Sequence, residues 1–193
     1  MSDSRLLHAA REVLSYLEGA DLPACLIGAL AVHRWGEPRA TRDVDFSVLA
    51  SYGEEGPVLD LLLSRFAARR PDARQFALDN RVLLLRTAAG PDADVALAAF
   101  PFELEALDRS SEWEAAPGFR LRTCPAEHLI VYKLVAARPH DIGDVEGIVR
   151  RQGRRLDVEC IRRWGLELAE LKEDPDLLRP FEEVWKQTSP RTA

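Results

Sequence analysis

The chain has 193 residues, of which 47% are hydrophobic and 30% charged, and this mix excludes a disordered or fibrous protein. This length favours one well-cored domain, with at most an extension, over two full domains. The formal net charge of −6 and the sequence pI of about 5.3 argue against nucleic-acid binding by bulk surface charge, although a local basic patch remains compatible with them.

Hydrophobic periodicity predicts the elements of the first two thirds of the chain. An i, i+3, i+4, i+7 stripe over residues 3–19 is typical of an amphipathic helix, and "PACLIGAL" indicates a short buried strand that turns at Gly28 into a second helix. Apolar alternation then predicts strands in "VDFSVLA", "ARQFALD", "RVLLLRTA", "DADVALAAF" and "GFRLRTC". Helical patterns lie in "GPVLDLLLSRFAARR" and "PFELEALDRS".

Strand patterns end near residue 124, and only helical patterns follow. These are "PAEHLIVYKLVAAR", "DIGDVEGIVRRQG", "LDVECIRRWGLELAELK" and "DPDLLRPFEEVWKQ". The order predicts an α+β fold, or an α/β mixed sheet, flanked by helices and followed by a helical part. We expect a core at residues 1–124 and a helical C-terminal part at residues 125–193, whose last residues, "SPRTA", are expected to be loose.

The cysteine pattern and the apolar runs bear on location. The three cysteines are widely spaced in apolar settings, which indicates neither a disulfide framework nor a CxxC metal site. We find no signal-peptide pattern, and the longest apolar run, "ACLIGALAV", is too short to span a bilayer. We therefore expect a soluble, cytoplasmic protein with no membrane partner.

Two aspartates open the strand in "RDVDFSV". Side chains at i and i+2 of a strand share a face, so Asp43 and Asp45 project together while Val44 and Phe46 face the core. Two neighbouring carboxylates repel each other unless a cation lies between them, and Mg²⁺ prefers carboxylate oxygens. The alternative is loop chemistry, in which Asp43 caps a turn and Asp45 pairs with an arginine.

A glycine turn and a third acid complete the candidate site. Gly28 and Ala29 lie at a strand-to-helix turn, where free backbone N–H groups and the helix dipole favour phosphate oxygens; close packing of the turn is the alternative interpretation. Asp94 precedes an apolar alternation as Asp45 does, and we choose it as the third carboxylate. Asp92 shares its parity, but its nearness to the Gly-Pro turn indicates a turn residue.

Several cationic and acidic residues around these motifs allow two interpretations each. Lys133 rises from an apolar helical stripe, so its ammonium either reaches solvent or meets a phosphate or an acid such as Asp141. Asp141 and Asp144 suit a catalytic role or the capping of a helix start. Arg39 and Arg42 either neutralise a triphosphate or are solvated surface residues, with solvation favoured for Arg39.

Two segments carry a resemblance to a known family. "LIGALAVHRWGEPRATRDVDFSV" resembles the signature of the polymerase-β-like nucleotidyltransferase superfamily, and "CPAEHLIVYKLVAARPHDIGDVEGIV" is similar to the downstream helices of its AbiEii-like toxin branch. The resemblance covers roughly residues 24–150 and implies a nucleotidyltransferase-like mixed sheet, with the helical part completing the cleft. It implies Mg²⁺, as two ions, or Mn²⁺ at Asp43, Asp45 and Asp94, and a nucleoside triphosphate as substrate. Further implied site residues are Lys133 as a catalytic residue and Gly28, Ala29, Arg39, Thr41, Arg42 and Asp141 as nucleotide-binding residues.

The resemblance implies transfer of a nucleoside monophosphate from the triphosphate to an acceptor hydroxyl. The toxin branch implies a toxin that acts on RNA, such as tRNA, or on protein, with a cognate antitoxin as partner. One alternative is a small-molecule nucleotidyltransferase of the kind that inactivates aminoglycoside or lincosamide antibiotics. Another is a regulatory module that binds nucleotide or a partner without catalysis. Ala29 favours that module, because the family has glycine or serine there, whereas the retained acids oppose it.

Overall fold

The computed structural model describes residues 2–188, which form two compact units. One unit comprises the chain up to Leu30 together with Ala40–Cys124, and the other comprises Ala31–Arg39 together with the chain from Pro125 onward. Residues 189–193, for which we predict a loose end, lie outside the described part of the chain. Within residues 2–188, no helix has the length and apolar character needed to cross a membrane.

The first unit contains every strand found in residues 2–188, interleaved with helices. In chain order its elements are α1 (Ser2–Glu18), β1 (Ala24–Leu26), the start of α2 (Gly28–Trp35), β2 (Asp43–Leu49), α3 (Glu55–Arg65), β3 (Ala67–Ala68), α4 (Ala73–Asn80), β4 (Val82–Arg86), β5 (Asp92–Ala98), α5 (Pro101–Asp108), β6 (Ser111–Ala116) and β7 (Phe119–Thr123). The prediction of an α+β fold with a mixed sheet is therefore confirmed.

The strands form one mixed sheet in the order β3-β4-β5-β2-β1-β7-β6. The two central strands, β2 and β5, run parallel, whereas β4 is antiparallel to β5 and β1 is antiparallel to β2. Because β2 and β5 run in the same direction in register, the residues that open the two strands lie side by side. The topology thus brings together acids that are about fifty positions apart in sequence.

The hydrophobic core of the first unit lies on one face of this sheet. On β2, Val44, Phe46 and Val48 are fully buried against apolar residues of α1, α3 and α4, and Ala93 and Val95 continue the same layer on β5. Because side chains alternate across a strand, burial of these positions directs the intervening residues to the opposite face. The core thereby fixes which way the acids of β2 and β5 project.

One predicted strand is wrong. "ARQFALD" forms helix α4, with Ala73 and Ala77 buried one turn apart and Leu78 largely exposed. The segment has no β-branched residue and is rich in the strong helix formers Ala, Arg, Gln and Leu, so helix propensity outweighs the short alternation. The helix ends at Asn80, and the residue that caps it, Arg81, has a left-handed φ of 54°.

Strands β3 and β6 are absent from the sequence prediction. The helix predicted to run through Arg70 ends at Arg65; Phe66 is already extended, and β3 follows. At the far edge, β6 has no buried residue and no apolar alternation, so its backbone pairing with β7 defines it. Neither strand carries the period-two pattern on which the prediction depends.

The second unit is helical, as the four C-terminal patterns predict. It contains the end of α2, α6 (Ala126–Ala136), α7 (Pro139–Gln152), a 3₁₀ turn (Gly153–Arg155), α8 (Val158–Leu171) and α9 (Arg179–Thr188). Residues 31–39 pack on α7: Gln152 Nε2 donates to the Trp35 carbonyl at 2.6 Å, and Arg151 donates to the Gly36 carbonyl at 2.6 Å. This segment is therefore held by helix α7.

Candidate active site

Four aspartates lie together where β2 and β5 begin. In the parallel register Asp43 pairs with Asp92, and Asp45 pairs with Asp94. Neighbouring strands lie about 4.8 Å apart and i, i+2 positions about 7 Å apart, so the four residues occupy adjacent points of one face. All four are partly buried, whereas Val44 and Ala93 between them are fully buried on the other face. We call these four residues the acid quartet.

Gly28 lies directly beside the Asp45 side chain. Its φ is +63°, and a Cβ atom placed on it would lie 2.6 Å from Asp45 Cβ and closer still to the carboxylate. The backbone is also joined there, because Ile27 N–H donates to the Asp45 carbonyl at 3.0 Å. Only glycine satisfies both the left-handed backbone and this close approach. The turn that opens α2 is therefore on the same side of the sheet as the quartet.

Thr41 and Arg69 donate hydrogen bonds to members of the quartet. Thr41 Oγ1 donates to Asp43 Oδ1 at 2.8 Å. Arg69, just after β3, donates through Nη1 to Asp92 Oδ2 at 3.2 Å and through Nη2 to Asp94 Oδ1. Its backbone is fixed on the sheet, because Arg69 N–H donates to the Leu84 carbonyl at 3.0 Å. The guanidinium thus joins the two acids of β5.

The electrostatics of the quartet disfavour four free carboxylates. Partial burial raises the pKa of Asp94, and the negative charges of Asp43 and Asp92 raise it further, while Arg69 opposes the shift without cancelling it. An acid whose pKa is raised by burial and like charge gains from an added cation. Carboxylate oxygens are the ligands that Mg²⁺ and Mn²⁺ prefer, so the donor set fits a hard divalent cation.

A separate group of buried charges lies in the second unit. The Lys133 ammonium on α6 lies 2.8 Å from Asp141 Oδ1 and 2.9 Å from Asp144 Oδ2, both on α7. Arg39 reaches the same Asp144 with two parallel hydrogen bonds, Nε to Oδ1 at 2.8 Å and Nη2 to Oδ2 at 3.0 Å. Of the alternatives for Lys133, the structure shows contact with acids.

Asp141 and Asp144 also have structural roles. The Arg138 backbone N–H donates to Asp141 Oδ2 at 3.3 Å, so Asp141 caps the start of α7. Burial by itself raises the pKa of Asp144, but hydrogen bonds from Arg39 and Lys133 outweigh burial and hold the pKa below its ordinary value. These contacts stabilise the packing of α7 on α6 and on residues 31–39.

The remaining predicted residues are placed as follows. Ala29 is buried in the first turn of α2, and Arg42 is exposed in the bend before β2. The expectation that Asp92 is a turn residue is wrong, because strand β5 begins at Asp92, opposite Asp43. The parity that it shares with Asp94 is the signal that could have identified it. Sequence reasoning missed Arg69 altogether, because Arg69 lies in a segment with a helical pattern.

Comparisons with known proteins give structural similarity only. No protein-family model matches the sequence, and no curated protein is significantly similar to it. Among solved structures, the antigenic nucleotidyltransferase-like protein from Paracoccidioides brasiliensis matches with a TM-score of 0.53 at 15% identity over 94% of each chain. The antibiotic-resistance factor ANT(2'')-Ia matches with a TM-score of 0.57 at 15% identity over 90% of this chain and 97% of its own. The chain therefore has a nucleotidyltransferase-like fold.

Proposed function

We propose that the protein is a metal-dependent nucleotidyltransferase that moves a nucleoside monophosphate from a nucleoside triphosphate to an acceptor hydroxyl. The observation that carries this proposal is the acid quartet beside the Gly28 turn. A purely structural sheet gains nothing from like charges on adjacent strands, since cross-strand pairs of like charge are destabilising. Their retention in this fold supports a catalytic role.

Asp43, Asp45 and Asp94 are the residues that would hold the metal, as two Mg²⁺ ions or Mn²⁺. When bound, the metal would activate the attacking hydroxyl and neutralise charge on the triphosphate and the leaving pyrophosphate. Thr41 orients Asp43 by donating to its Oδ1 atom, and the left-handed backbone of Gly28 leaves room for the Asp45 carboxylate. Thr41 thus orients one of the three proposed ligands, and Gly28 leaves room for another.

The start of α2 and Arg42 would bind the triphosphate. Backbone N–H groups in the first turn, at Gly28 and Ala29, offer donors to phosphate oxygens, and the helix dipole favours negative charge there. Ala29 provides no hydroxyl for a phosphate oxygen, so the backbone would supply the contacts at this position. The exposed Arg42, directly before Asp43, adds a cation that can follow the departing pyrophosphate.

The reaction is an in-line displacement at the α-phosphorus. The acceptor oxygen forms a bond to phosphorus, the bond to the bridging oxygen breaks, and pyrophosphate leaves with that electron pair. The acceptor proton passes to a carboxylate oxygen of Asp94. Most of the rate enhancement would come from positioning and electrostatic stabilisation.

The resemblance also implies that Lys133, Arg39 and Asp141 take part in this reaction. Their contacts support an indirect role, because Lys133 lies between two carboxylates and Arg39 is bonded to Asp144. We propose that they keep α6, α7 and residues 31–39 in place, and that they do not bind phosphate directly. Their substitution would then lower stability together with activity.

For the acceptor we propose a small hydroxylated molecule. The similarity to an antibiotic-resistance factor over nearly the whole of both chains supports this class. The net charge of −6 also supports it, because an acidic protein attracts a cationic small molecule more readily than RNA. The three cysteines are buried free thiols, which fits our proposal that the reaction takes place in the cytoplasm.

A second candidate is an AbiEii-like toxin that acts on RNA, such as tRNA, or on protein and is countered by a cognate antitoxin. The observation that favours it is the segment at residues 124–149, in which a lysine on one helix precedes aspartates that open the next. This is the order of residues on which the resemblance to that branch rests. Expression in bacteria separates the two candidates. A toxin stops growth unless its antitoxin is co-expressed, whereas a small-molecule enzyme leaves growth unchanged.

The decisive experiment offers each of the four α-labelled nucleoside triphosphates with Mg²⁺ or Mn²⁺ to total RNA, protein and a panel of aminoglycosides and lincosamides. We expect labelled product in one acceptor class, lost in EDTA and in Asp45→Asn. Circular dichroism and thermal melting confirm that the variant is folded. Unaltered transfer by Asp45→Asn would exclude this mechanism, and triphosphate binding without transfer to any acceptor would indicate a regulatory module.

A further inference from the structure

Arg69 has no role in the mechanism above, yet it bonds to two members of the acid quartet. We propose that Arg69 is a built-in counter-ion that competes with the divalent cation for Asp94, and that Asp92 is the residue on which Arg69 remains when the cation binds. The inference rests on the proposed metal site and deepens it. It makes Arg69 and Asp92 positioning residues that set the affinity of the site for metal.

The first support is the geometry of the shared guanidinium. Its two terminal nitrogens contact different acids, with Nη1 on Asp92 at 3.2 Å and Nη2 on Asp94. A fork that spans two carboxylates can release one and keep the other, because each nitrogen makes its own hydrogen bond. Asp94 is a proposed ligand and Asp92 is not, so the fork connects the metal site to a residue outside it.

The second support is that Arg69 is incompletely satisfied. Its Nε atom is buried and has no hydrogen-bond partner, although its two terminal nitrogens are paired. A buried donor without a partner is unfavourable, so attraction to the two carboxylates must outweigh that cost. A cation that neutralises Asp94 weakens this attraction, and Arg69 is then expected to release Asp94.

The third support is that the side chain can move without the fold. The Arg69 backbone is fixed by its N–H bond to the Leu84 carbonyl, and the preceding residue, Ala68, pairs with Leu85 in the sheet. The Arg69 side chain is 23% exposed and that of Asp92 is 43% exposed, so both side chains reach solvent. Rotation of the side chain therefore requires no change in the core.

This arrangement predicts opposite effects for the two positioning residues. Loss of the Arg69 charge removes a competitor and leaves the quartet more negative, so metal binds more tightly. Loss of the Asp92 charge leaves Asp94 as the main partner of Arg69 and makes the quartet less negative, so metal binds more weakly. At the separations within this cluster a unit charge changes affinity by about tenfold.

The experiment measures Mn²⁺ binding by electron paramagnetic resonance, without nucleotide, at fixed ionic strength. Arg69→Gln is expected to bind about tenfold more tightly than the wild type, and Asp92→Asn about tenfold more weakly. Arg69→Lys keeps the charge and is expected to stay within about threefold of the wild type. The matched control is Arg70→Gln, which removes the same charge from the neighbouring residue, whose partner Asp72 lies outside the quartet; it is expected to leave Mn²⁺ affinity unchanged.

The outcomes separate this inference from the proposed function. Mn²⁺ binding that is absent in the wild type, or unchanged in Asp45→Asn, overturns this inference, whereas the labelled-transfer assay decides the proposed function. Binding that is lost in Asp45→Asn but equal in Arg69→Gln and Arg70→Gln overturns only the role of Arg69. If Arg69→Gln does not fold, Arg69→Lys and Asp92→Asn carry the test, and an unchanged affinity in Asp92→Asn overturns the inference.

Discussion

Replacement of Gly28 by alanine tests whether the glycine turn exists to admit Asp45. The added methyl group would lie 2.6 Å from Asp45 Cβ and closer still to the carboxylate, in a residue whose φ is +63°. Left-handed backbone costs a non-glycine residue about 1–2 kcal/mol. Overpacking against a neighbour that cannot move freely adds about 1–3 kcal/mol. We therefore expect Gly28→Ala to lower the free energy of unfolding by about 3 kcal/mol.

Two comparisons isolate the contact from the backbone strain. Gly118 has a similar φ of +76°, and a Cβ on it would have no atom within 4 Å, so Gly118→Ala should cost only about 1 kcal/mol. In an Asp45→Gly background the side chain that clashes is gone, and Gly28→Ala should likewise cost about 1 kcal/mol. The expected coupling between positions 28 and 45 is thus about 2 kcal/mol.

Urea denaturation followed by circular dichroism, in EDTA, gives these free energies for the four members of the cycle and for Gly118→Ala. A coupling below about 0.5 kcal/mol would refute the reasoning, because positions without shared contacts add within that margin. Equal destabilisation by Gly28→Ala and Gly118→Ala would also refute it. Either outcome would mean that Gly28 serves the turn alone.

Three further predictions concern the two groups of charges. Lys133→Met leaves Asp141 and Asp144 buried without the ammonium between them, and urea denaturation should show a loss of about 3–5 kcal/mol. The pKa of Asp144 is lower in the folded state than in the unfolded state, where it is about 3.9. Asp144 therefore stabilises the fold fully above a pH of about 3.9, and this stabilisation is lost as the pH falls through the lower folded pKa. In a plot of melting temperature against pH, Asp144→Asn should show a smaller fall at acid pH than the wild type. Asp43→Asn relieves repulsion in the quartet, and its amide oxygen can still accept the hydrogen bond from Thr41. The melting temperature in EDTA should therefore rise by about 2 °C. Mg²⁺ should raise the melting temperature of the wild type but not that of Asp43→Asn.

The sequence predicts much of the candidate site because strand parity and burial are local properties. The alternation in "DVDFSV" assigns Asp43 and Asp45 to one face and Val44 and Phe46 to the other, as the structure has them. The same alternation identifies Asp94 on β5. What no local pattern supplies is the pairing of β2 with β5 in register, which depends on the order of strands in the sheet. From the sequence alone, the proximity of the β2 acids to the β5 acids is therefore only a hypothesis.

Arg69 lay beyond sequence reasoning for a different reason. Its position near the quartet depends on α3 ending at Arg65 and on the two-residue strand β3 pairing with β4. A strand of two alanines has no alternation to detect, and the residues before it continue a helical pattern. Tertiary pairing overrides that pattern and places Arg69 beside two aspartates. The wrong strand at residues 73–79 has the opposite origin, since there helix propensity outweighs an apparent alternation.

Along β2 and β5, strand propensity and burial in the core agree at every position except those of the four aspartates. Val44, Phe46, Ala93 and Val95 build the core, as strands of a central parallel pair should, whereas aspartate is unfavourable in strands and doubly so opposite another aspartate. Neighbouring residues accommodate the acids: a glycine without a side chain, a threonine that donates and an arginine that spans two carboxylates. A sequence that folds consistently elsewhere tolerates such a conflict chiefly at functional sites. A bound cation would remove this conflict, and for this reason the metal-dependent measurements are the most informative tests of this protein.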